Sequence, residues 1–221
     1  KVIVPEKSTI ADIGSGTGVL AFLALKLGAK HATLFETGDA LELSRKLAKE
    51  NGLFERCTFV RKHSTQVRSQ EKVDIVISET LGNYALEEHT LETLQDAKRF
   101  LLPNGIMIPG KLKQIVTPVT SSTPLTELES WKNVGHGLTF TAAQEVSLNN
   151  LYVRTFTASD LLQEKGAQNV WDQINFSGKE DSLRKKLAKW TLEKQSSISG
   201  FCLSWETELV PGVLLGTHPW N

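Results

Sequence analysis

Apolar positions in the first half of the chain fall alternately into short unbroken runs and helical stripes. Residues 8–13 read as a buried strand ending in the turn Gly14-Ser15-Gly16-Thr17-Gly18. Val19, Leu20, Leu23, Ala24 and Leu27 then recur at helical spacing, and Gly28 stops that helix. A second strand is predicted over 31–35. It is followed by a helix over 39–50 with Leu43, Leu47 and Ala48 on one face, ended by Asn51-Gly52. Strands over 57–60 and 73–77 come next, and a helix over 86–101 with Leu91, Leu94, Ala97 and Leu101 as its inner stripe. Leu102-Pro103-Asn104-Gly105 reads as a turn into 106–109. This alternation predicts a parallel sheet covered by helices.

After Pro109 the texture changes. Helical runs thin out, and β-branched stretches appear over 114–119 and 151–156. Phe201, Leu203 and Trp205 alternate with Cys202, Ser204 and Glu206, the pattern of a half-buried antiparallel strand. The stretch 181–194 fits helix through Leu183, Leu187 and Trp190, but Trp190 and Leu192 favour strand for its second half. The expected organisation is α/β, with a Rossmann-like domain over 1–109 followed by a mostly antiparallel, β-barrel-like domain over 110–221.

Composition narrows the function classes. Lys plus Arg and Asp plus Glu both number 25, so the formal net charge is zero and nucleic acid is not favoured as a partner. Cys57 and Cys202 lie far apart without CxxC spacing, which points to a reduced, cytoplasmic compartment. The five histidines share no metal-ligand spacing with them, so no metal site is expected. No apolar run is long enough to span a membrane. The opening residues are too few and too polar for a signal peptide, and they run almost at once into a motif, which suggests that the protein extends upstream.

That motif is Ala11-Asp12-Ile13-Gly14-Ser15-Gly16-Thr17-Gly18. A strand feeding a glycine-rich turn and then a helix lets a ligand approach the backbone closely. Asp12 precedes the first glycine, where a carboxylate attracts a positively charged ligand. Glu36 ends the second strand, where a Rossmann-like site places an acid for both ribose hydroxyls. No Gly-Lys-Ser/Thr follows, which excludes a P-loop, and the spacing of Gly16 and Gly18 breaks the dinucleotide fingerprint. S-adenosylmethionine, with an amino-acid head, a sulfonium and a ribose, finds a partner for each group among Asp12, Gly14, Ser15, Gly16, Gly18 and Glu36. Thr65 and Gln66 follow the third strand, where the resemblance to S-adenosylmethionine-dependent methyltransferases implies the adenine contact, with His63 and Ser64 as alternatives and a solvated loop over 63–72 as the bland reading.

The fourth strand runs into Glu79-Thr80-Leu81-Gly82-Asn83-Tyr84-Ala85-Leu86-Glu87-Glu88. Glu79 stands at a strand end, where open α/β sheets bind ligands, and Glu88 follows nine residues later. The bland alternative is that Glu87, Glu88 and Glu92 favour the positive end of the next helix, which leaves Glu79 unexplained. With Asp96 these acids also form a rim that would attract a cationic substrate.

The segment VDIVISETLGNYALEE resembles the double-E loop of the protein arginine methyltransferases, a family of class I S-adenosylmethionine-dependent enzymes. The resemblance extends to DIGSGTGVLAFLALKLGAKHATLFE, FLLPNGIMIP, the segment around Trp131-Lys132-Asn133-Val134 and the strand around Trp205. It implies a Rossmann-like domain, then a β-barrel with an inserted arm that makes a homodimer, here residues near 131–143. It also implies Glu79 and Glu88 as catalytic residues that clamp a guanidinium, with a protein or peptide arginine as acceptor. A guanidinium is a planar cation that is almost never deprotonated, and it must approach a second cation. Two carboxylates would hold it bidentately and offset the repulsion.

Three departures qualify the substrate. Thr80, Leu81 and Asn83 replace the family's aromatic and methionine residues, which leaves room for a small-molecule acceptor or a non-catalytic role. The family's N-terminal helix over the cofactor would precede residue 1. Thr217-His218-Pro219-Trp220 matches the family's Thr-His-Trp loop poorly, so His218 is expected to be an ordinary surface residue.

Overall fold

The computed structural model describes residues 2–68, 71–87, 89–148 and 150–219. Two compact units emerge, one of 1–112, 173–184 and 207–215, the other of 113–172, 185–206 and 216–221.

The first unit is built on β1 (Thr9–Ile13), β2 (His31–Phe35), β3 (Cys57–Val60), β4 (Val73–Ser78) and β5 (Leu101–Ile108). They form one sheet in the order β3-β2-β1-β4-β5, with every pairing parallel. The expected parallel sheet is therefore present. Its central strand, β1, is buried from Ile10 to Ile13, as a strand covered on both faces must be. Helices α1 (Val19–Lys26) and α2 (Ala40–Glu50) carry the chain from β1 to β2 and from β2 to β3. Both end where the sequence places a glycine. Ala29 N–H reaches Ala24 O at 3.0 Å and Leu53 N–H reaches Ala48 O at 2.8 Å, closing orphan carbonyls of the last turn.

Which face each helix buries differs from the sequence pattern. Ala21, Ala24 and Leu25 of α1 enter the core with Ile10, Leu34, Leu41 and Ile75, whereas Val19, Leu23 and Leu27 are exposed. α1 is apolar all round, so periodicity alone cannot select its buried side. On α2 the buried positions are Leu41, Ser44 and Ala48, and Leu43 points outward.

Among the described residues between β3 and β4, the chain forms a short 3-10 turn, Ser64–Gln66. Helix α3 (Thr90–Ala97) is shorter than its expected 86–101 span, and Leu101 already belongs to β5. Its buried stripe is Thr90, Leu91, Thr93, Leu94 and Ala97. The predicted turn at 102–105 is a bulge within β5. Val73 faces Leu101 but Ile75 faces Ile106, so the intervening residues swing outward. Phe100, just before β5, stacks on Phe35 with ring centroids 5.3 Å apart.

The second sheet has the order β7-β6-β8-β9, from β6 (Lys111–Val119), β7 (Asn169–Asn175), β8 (Gly200–Val210) and β9 (Val213–Gly216). Ion pairs Lys111–Glu208 (3.2 Å) and Lys113–Glu206 (2.8 Å) run in opposite senses along β6 and β8, as in an antiparallel pair. Among the described residues this sheet is open rather than a closed barrel.

Several expectations here need correction. On β8 the buried residues are Cys202, Ser204, Trp205 and Thr207, while Phe201 is exposed, so the simple alternation breaks near Trp205. Phe201 is not wasted, since its ring stacks on Trp190 at 5.4 Å. Residues 151–157 form no strand: Leu151 and Val153 are exposed, and β-propensity without a pairing partner does not make a ladder. Nor is 181–194 a strand or a helix, although Ala188, Trp190 and Leu192 alternate inward. Two helices that the sequence reading missed, α4 (Thr123–Glu129) and α5 (Thr141–Leu148), flank the expected arm.

Candidate functional site

All five strands of the first sheet point the same way, so their carboxyl ends share one edge. The strand order reverses at β1, which has β2 on one side and β4 on the other. The crevice at such a reversal is where open α/β sheets bind ligands. The sequence candidates Asp12, Gly14, Glu36 and Glu79 stand at the ends of these three adjacent strands.

The glycine turn is held by β2. Gly14 and Ser15 N–H both donate to Phe35 O, at 2.9 and 3.0 Å, and Gly18 N–H closes the turn on Ser15 O at 2.8 Å. Gly14 (φ +70°) and Gly18 (φ +87°) adopt the left-handed conformation that favours glycine. Space excludes a side chain as well. A Cβ on Gly14 would lie 2.6 Å from Thr80 Cγ2, and one on Gly18 would lie 2.5 Å from Ser44 Oγ and 2.7 Å from Phe22 Cζ. Gly16 differs, with nothing within 4 Å of that position, so its backbone borders open space. The Ser15 hydroxyl is buried with no hydrogen-bond partner among the described residues.

Glu36 is fixed at both oxygens. Gly16 N–H donates to Oε2 at 2.9 Å and Gly38 N–H to Oε1 at 2.7 Å, and the remaining lone pairs can accept from a diol. Asp12 is only 1% exposed, and its Oδ2 accepts from Ala21 N–H at 3.1 Å, tying β1 to the first turn of α1. Burial pushes its carboxyl up to about 7. The Ala21 hydrogen bond opposes that rise, and the negative charge of Glu36 adds to it. Open space over Gly16, the Ser15 hydroxyl and two carboxylates fit a small ligand with cationic and diol groups. Thr65 is exposed in the 3-10 turn, where its hydroxyl meets His63 Nδ1 at 2.7 Å, and Ser64 beside it is buried.

The acidic loop begins at the end of β4. Ser78 Oγ donates to Ile13 O at 2.9 Å, which links this strand end to β1, and Glu79 beyond it is exposed. The loop closes through Ala85 N–H to Gly82 O at 3.0 Å. Glu87 Oε1 accepts Tyr84 N–H at 2.9 Å, so this carboxylate folds back on its own loop. Glu87 lies before α3, and only Glu92 occupies the first turn of that helix. The helix-end explanation therefore does not hold for Glu87. Glu88 lies outside the described residues. Asp96 is engaged with Arg99 at 3.0 Å.

Thr90 escaped the sequence reading, which named Thr80 only as a departure from the family's loop. Thr90 Oγ1 lies 3.0 Å from Thr80 O and 2.7 Å from Glu87 O. The available signal was a threonine at the head of an apolar helical stripe, where hydroxyls commonly bond local backbone. His218 must be corrected: it is buried, not a surface residue. Burial lowers its pKa, with the Glu206 carboxylate pulling the other way. Its neighbour Thr217 pairs with β8, the Thr217 N–H donating to Trp205 O at 3.0 Å.

The arm region is a 3-10 turn, Ser130–Asn133, between α4 and α5. Trp131 and Phe140 stack there at 6.0 Å, and Leu138 and Val146 are exposed. Among the described residues no group of three or more His, Cys, Asp and Glu could hold a metal ion. No described helix is long and apolar enough to cross a membrane.

A family model described as "Methyltransferase domain" matches residues 6–174. The ribosomal protein arginine N-methyltransferase rmt3 of Schizosaccharomyces pombe is 32% identical over 66% of this chain and 27% of its own length. The histone-arginine methyltransferase CARMER of Drosophila persimilis is 26% identical over 89% of this chain and 38% of its own length. The chain thus spans well under half of these curated relatives. A chain of the Trypanosoma brucei PRMT1 enzyme-prozyme heterotetrameric complex with AdoHcy superposes with a TM-score of 0.83 at 23% identity. The match covers 98% of this chain and 70% of that one, and shows a shared fold.

Proposed function

The chain belongs to the methyltransferase-domain family, and from that premise we propose that it is an S-adenosylmethionine-dependent enzyme methylating arginine guanidinium groups of proteins. One observation carries this reading: Asp12, Glu36 and Glu79 stand at the carboxyl ends of three adjacent parallel strands, where the strand order reverses. The relatives named for arginine methylation support the acceptor.

S-adenosylmethionine supplies an electrophilic methyl group on a sulfonium. Glu36, held by Gly16 and Gly38, would accept both ribose hydroxyls. The open backbone at Gly16 and the Ser15 hydroxyl would receive the amino-acid portion, with Asp12 supplying negative charge at the end of β1, just before the turn. Thr65 would border the adenine. Glu79 and Glu88 would clamp the guanidinium, align one nitrogen with the methyl group and offset the repulsion between two cations. Glu87, turned onto Tyr84 N–H, leaves that role to Glu88.

The partner surfaces follow the same reading. The exposed Trp131–Phe140 pair and Leu138, with the bare stripe Val19, Leu23 and Leu27 on α1, suit a homodimer in which the arm near 131–143 covers a second copy. Two free thiols, Cys57 and Cys202, suit a cytoplasmic, reducing compartment.

The test is methyl transfer from labelled S-adenosylmethionine by the full-length protein onto Arg-rich peptides, Lys-rich peptides and a metabolite extract. Label on the Arg peptide, abolished by Glu79→Gln, is the expected result. Label only among metabolites would move the acceptor to a small molecule, the reading that Thr80, Leu81 and Asn83 leave room for. No label anywhere would favour a non-catalytic member.

A further inference from the structure

We propose that Thr90 is a positioning residue that fixes the Thr80 stem of the acidic loop and so the placement of Glu79. This inference rests on the arginine-clamp reading and deepens it. The loop leaves β4 at Glu79 and rejoins the fold at α3, so its two stems are Thr80 and Glu87. Each stem residue is the chain neighbour of a proposed clamp carboxylate. Thr90 Oγ1 stands between them, 3.0 Å from Thr80 O and 2.7 Å from Glu87 O.

A hydroxyl carries one proton, which here is shared between two carbonyls that converge on it. Thr90 is buried at 3% exposure, so solvent does not compete for that proton. Thr90 N–H also donates to Glu87 O at 3.0 Å, which leaves Thr80 O as the carbonyl that depends on the hydroxyl. Loss of the hydroxyl removes the donor to the Thr80 carbonyl and leaves that stem resting on the contact of the Thr80 hydroxyl with Ser78 Oγ at 3.2 Å, while the Glu87 stem stays tied.

The rest of the loop cannot do this work. Its internal bonds, Ala85 N–H to Gly82 O and Tyr84 N–H to Glu87 Oε1, shape the tip and one stem but do not hold the Thr80 carbonyl. Ser78 anchors the strand end one residue before Glu79, through Ile13 O. Glu79 is thus held between a fixed point on β1 and a fixed point on α3. Thr80 also presses its methyl against Gly14, so the same stem borders the cofactor turn. A clamp aligning a guanidinium nitrogen with a methyl group tolerates little movement, since a displacement of about 1 Å can cost on the order of a hundredfold in rate.

The experiment compares full-length wild type, Thr90→Val, Thr90→Ser and Glu79→Gln. It reads kcat and KM on an Arg-rich peptide, and S-adenosylhomocysteine binding by calorimetry. Thr90→Val replaces the hydroxyl with a methyl group that can donate to neither carbonyl and fits less closely between them. It should lower kcat by about tenfold or more with S-adenosylhomocysteine affinity unchanged, and Thr90→Ser should restore at least half of the wild-type kcat. Thr90→Val within twofold of wild type, beside an inactive Glu79→Gln, would overturn the positioning role and leave the clamp intact. Equal loss in the Val and Ser variants, or loss of cofactor-product affinity in step with kcat, would also overturn it by showing general damage. Full activity of Glu79→Gln would instead sink the clamp reading, and this proposal with it.

Discussion

Replacing Asp12 by Asn should stabilise the protein at neutral pH while impairing it as an enzyme. Asp12 is 1% exposed, and burial raises its carboxyl from 3.8 to about 7. The folded state therefore holds the proton more tightly than the unfolded chain. The stability associated with that proton is fully present below about pH 3.8 and is lost as pH rises through about 7. At about 1.4 kcal/mol per unit, a rise of roughly three units costs on the order of 4 kcal/mol at pH 8. Asn carries no charge to desolvate, and its carbonyl can keep the Ala21 hydrogen bond. Its buried amide hydrogens lack that provision and return about 1–3 kcal/mol of the gain. The net expectation is that the variant falls about 1–3 kcal/mol below wild type near pH 4 and exceeds it by about 1–3 kcal/mol at pH 8. Urea denaturation of both proteins from pH 4 to pH 8 measures the difference, and groups common to both cancel. Cofactor affinity should fall in the same variant, because the negative charge just before the glycine turn is gone. Curves that stay parallel across the whole pH range would refute the account of Asp12 as a buried, costly carboxylate.

Gly14→Ala places a Cβ 2.6 Å from Thr80 Cγ2 at a residue with φ +70°, and should destabilise the first unit by about 1–3 kcal/mol, readable as a lowered urea midpoint. Glu36→Ala removes the acceptor of both Gly16 and Gly38 N–H. It should weaken S-adenosylhomocysteine binding by about tenfold to a hundredfold in calorimetry, and unchanged affinity would exclude the ribose role. Paired substitution of Trp131 and Phe140 by Ser should shift the sedimentation of the full-length protein from dimer to monomer. A dimer that persists would place the interface elsewhere.

The parallel sheet was legible in the sequence because its strands are short, unbroken apolar runs and its helices end at Gly28 and Gly52. The glycine turn and Glu36 were legible because backbone conformation and charge leave few residue choices there. Helix faces were harder to read. On α1 apolar residues encircle the axis, and the choice of Ala21 and Leu25 over Leu23 and Leu27 is made by the sheet it packs against. The second sheet was harder still. Gln114, Thr117, Ser204 and Thr207 are buried polar residues, so the alternation that marks a strand's inner face is inverted or broken. Thr90 was invisible for another reason: its role depends on two carbonyls seven residues apart in the chain, brought together only by the fold of the loop.

Thr80 Cγ2 and the missing Cβ of Gly14 compete for one methyl-sized volume, so positions 14 and 80 share a single allotment of space. Substitutions at the two sites should not behave independently: Thr80→Ser would relieve part of the steric penalty of alanine at 14 but not its backbone strain. Any redesign of this loop at position 80 is therefore also a redesign of the glycine turn at position 14.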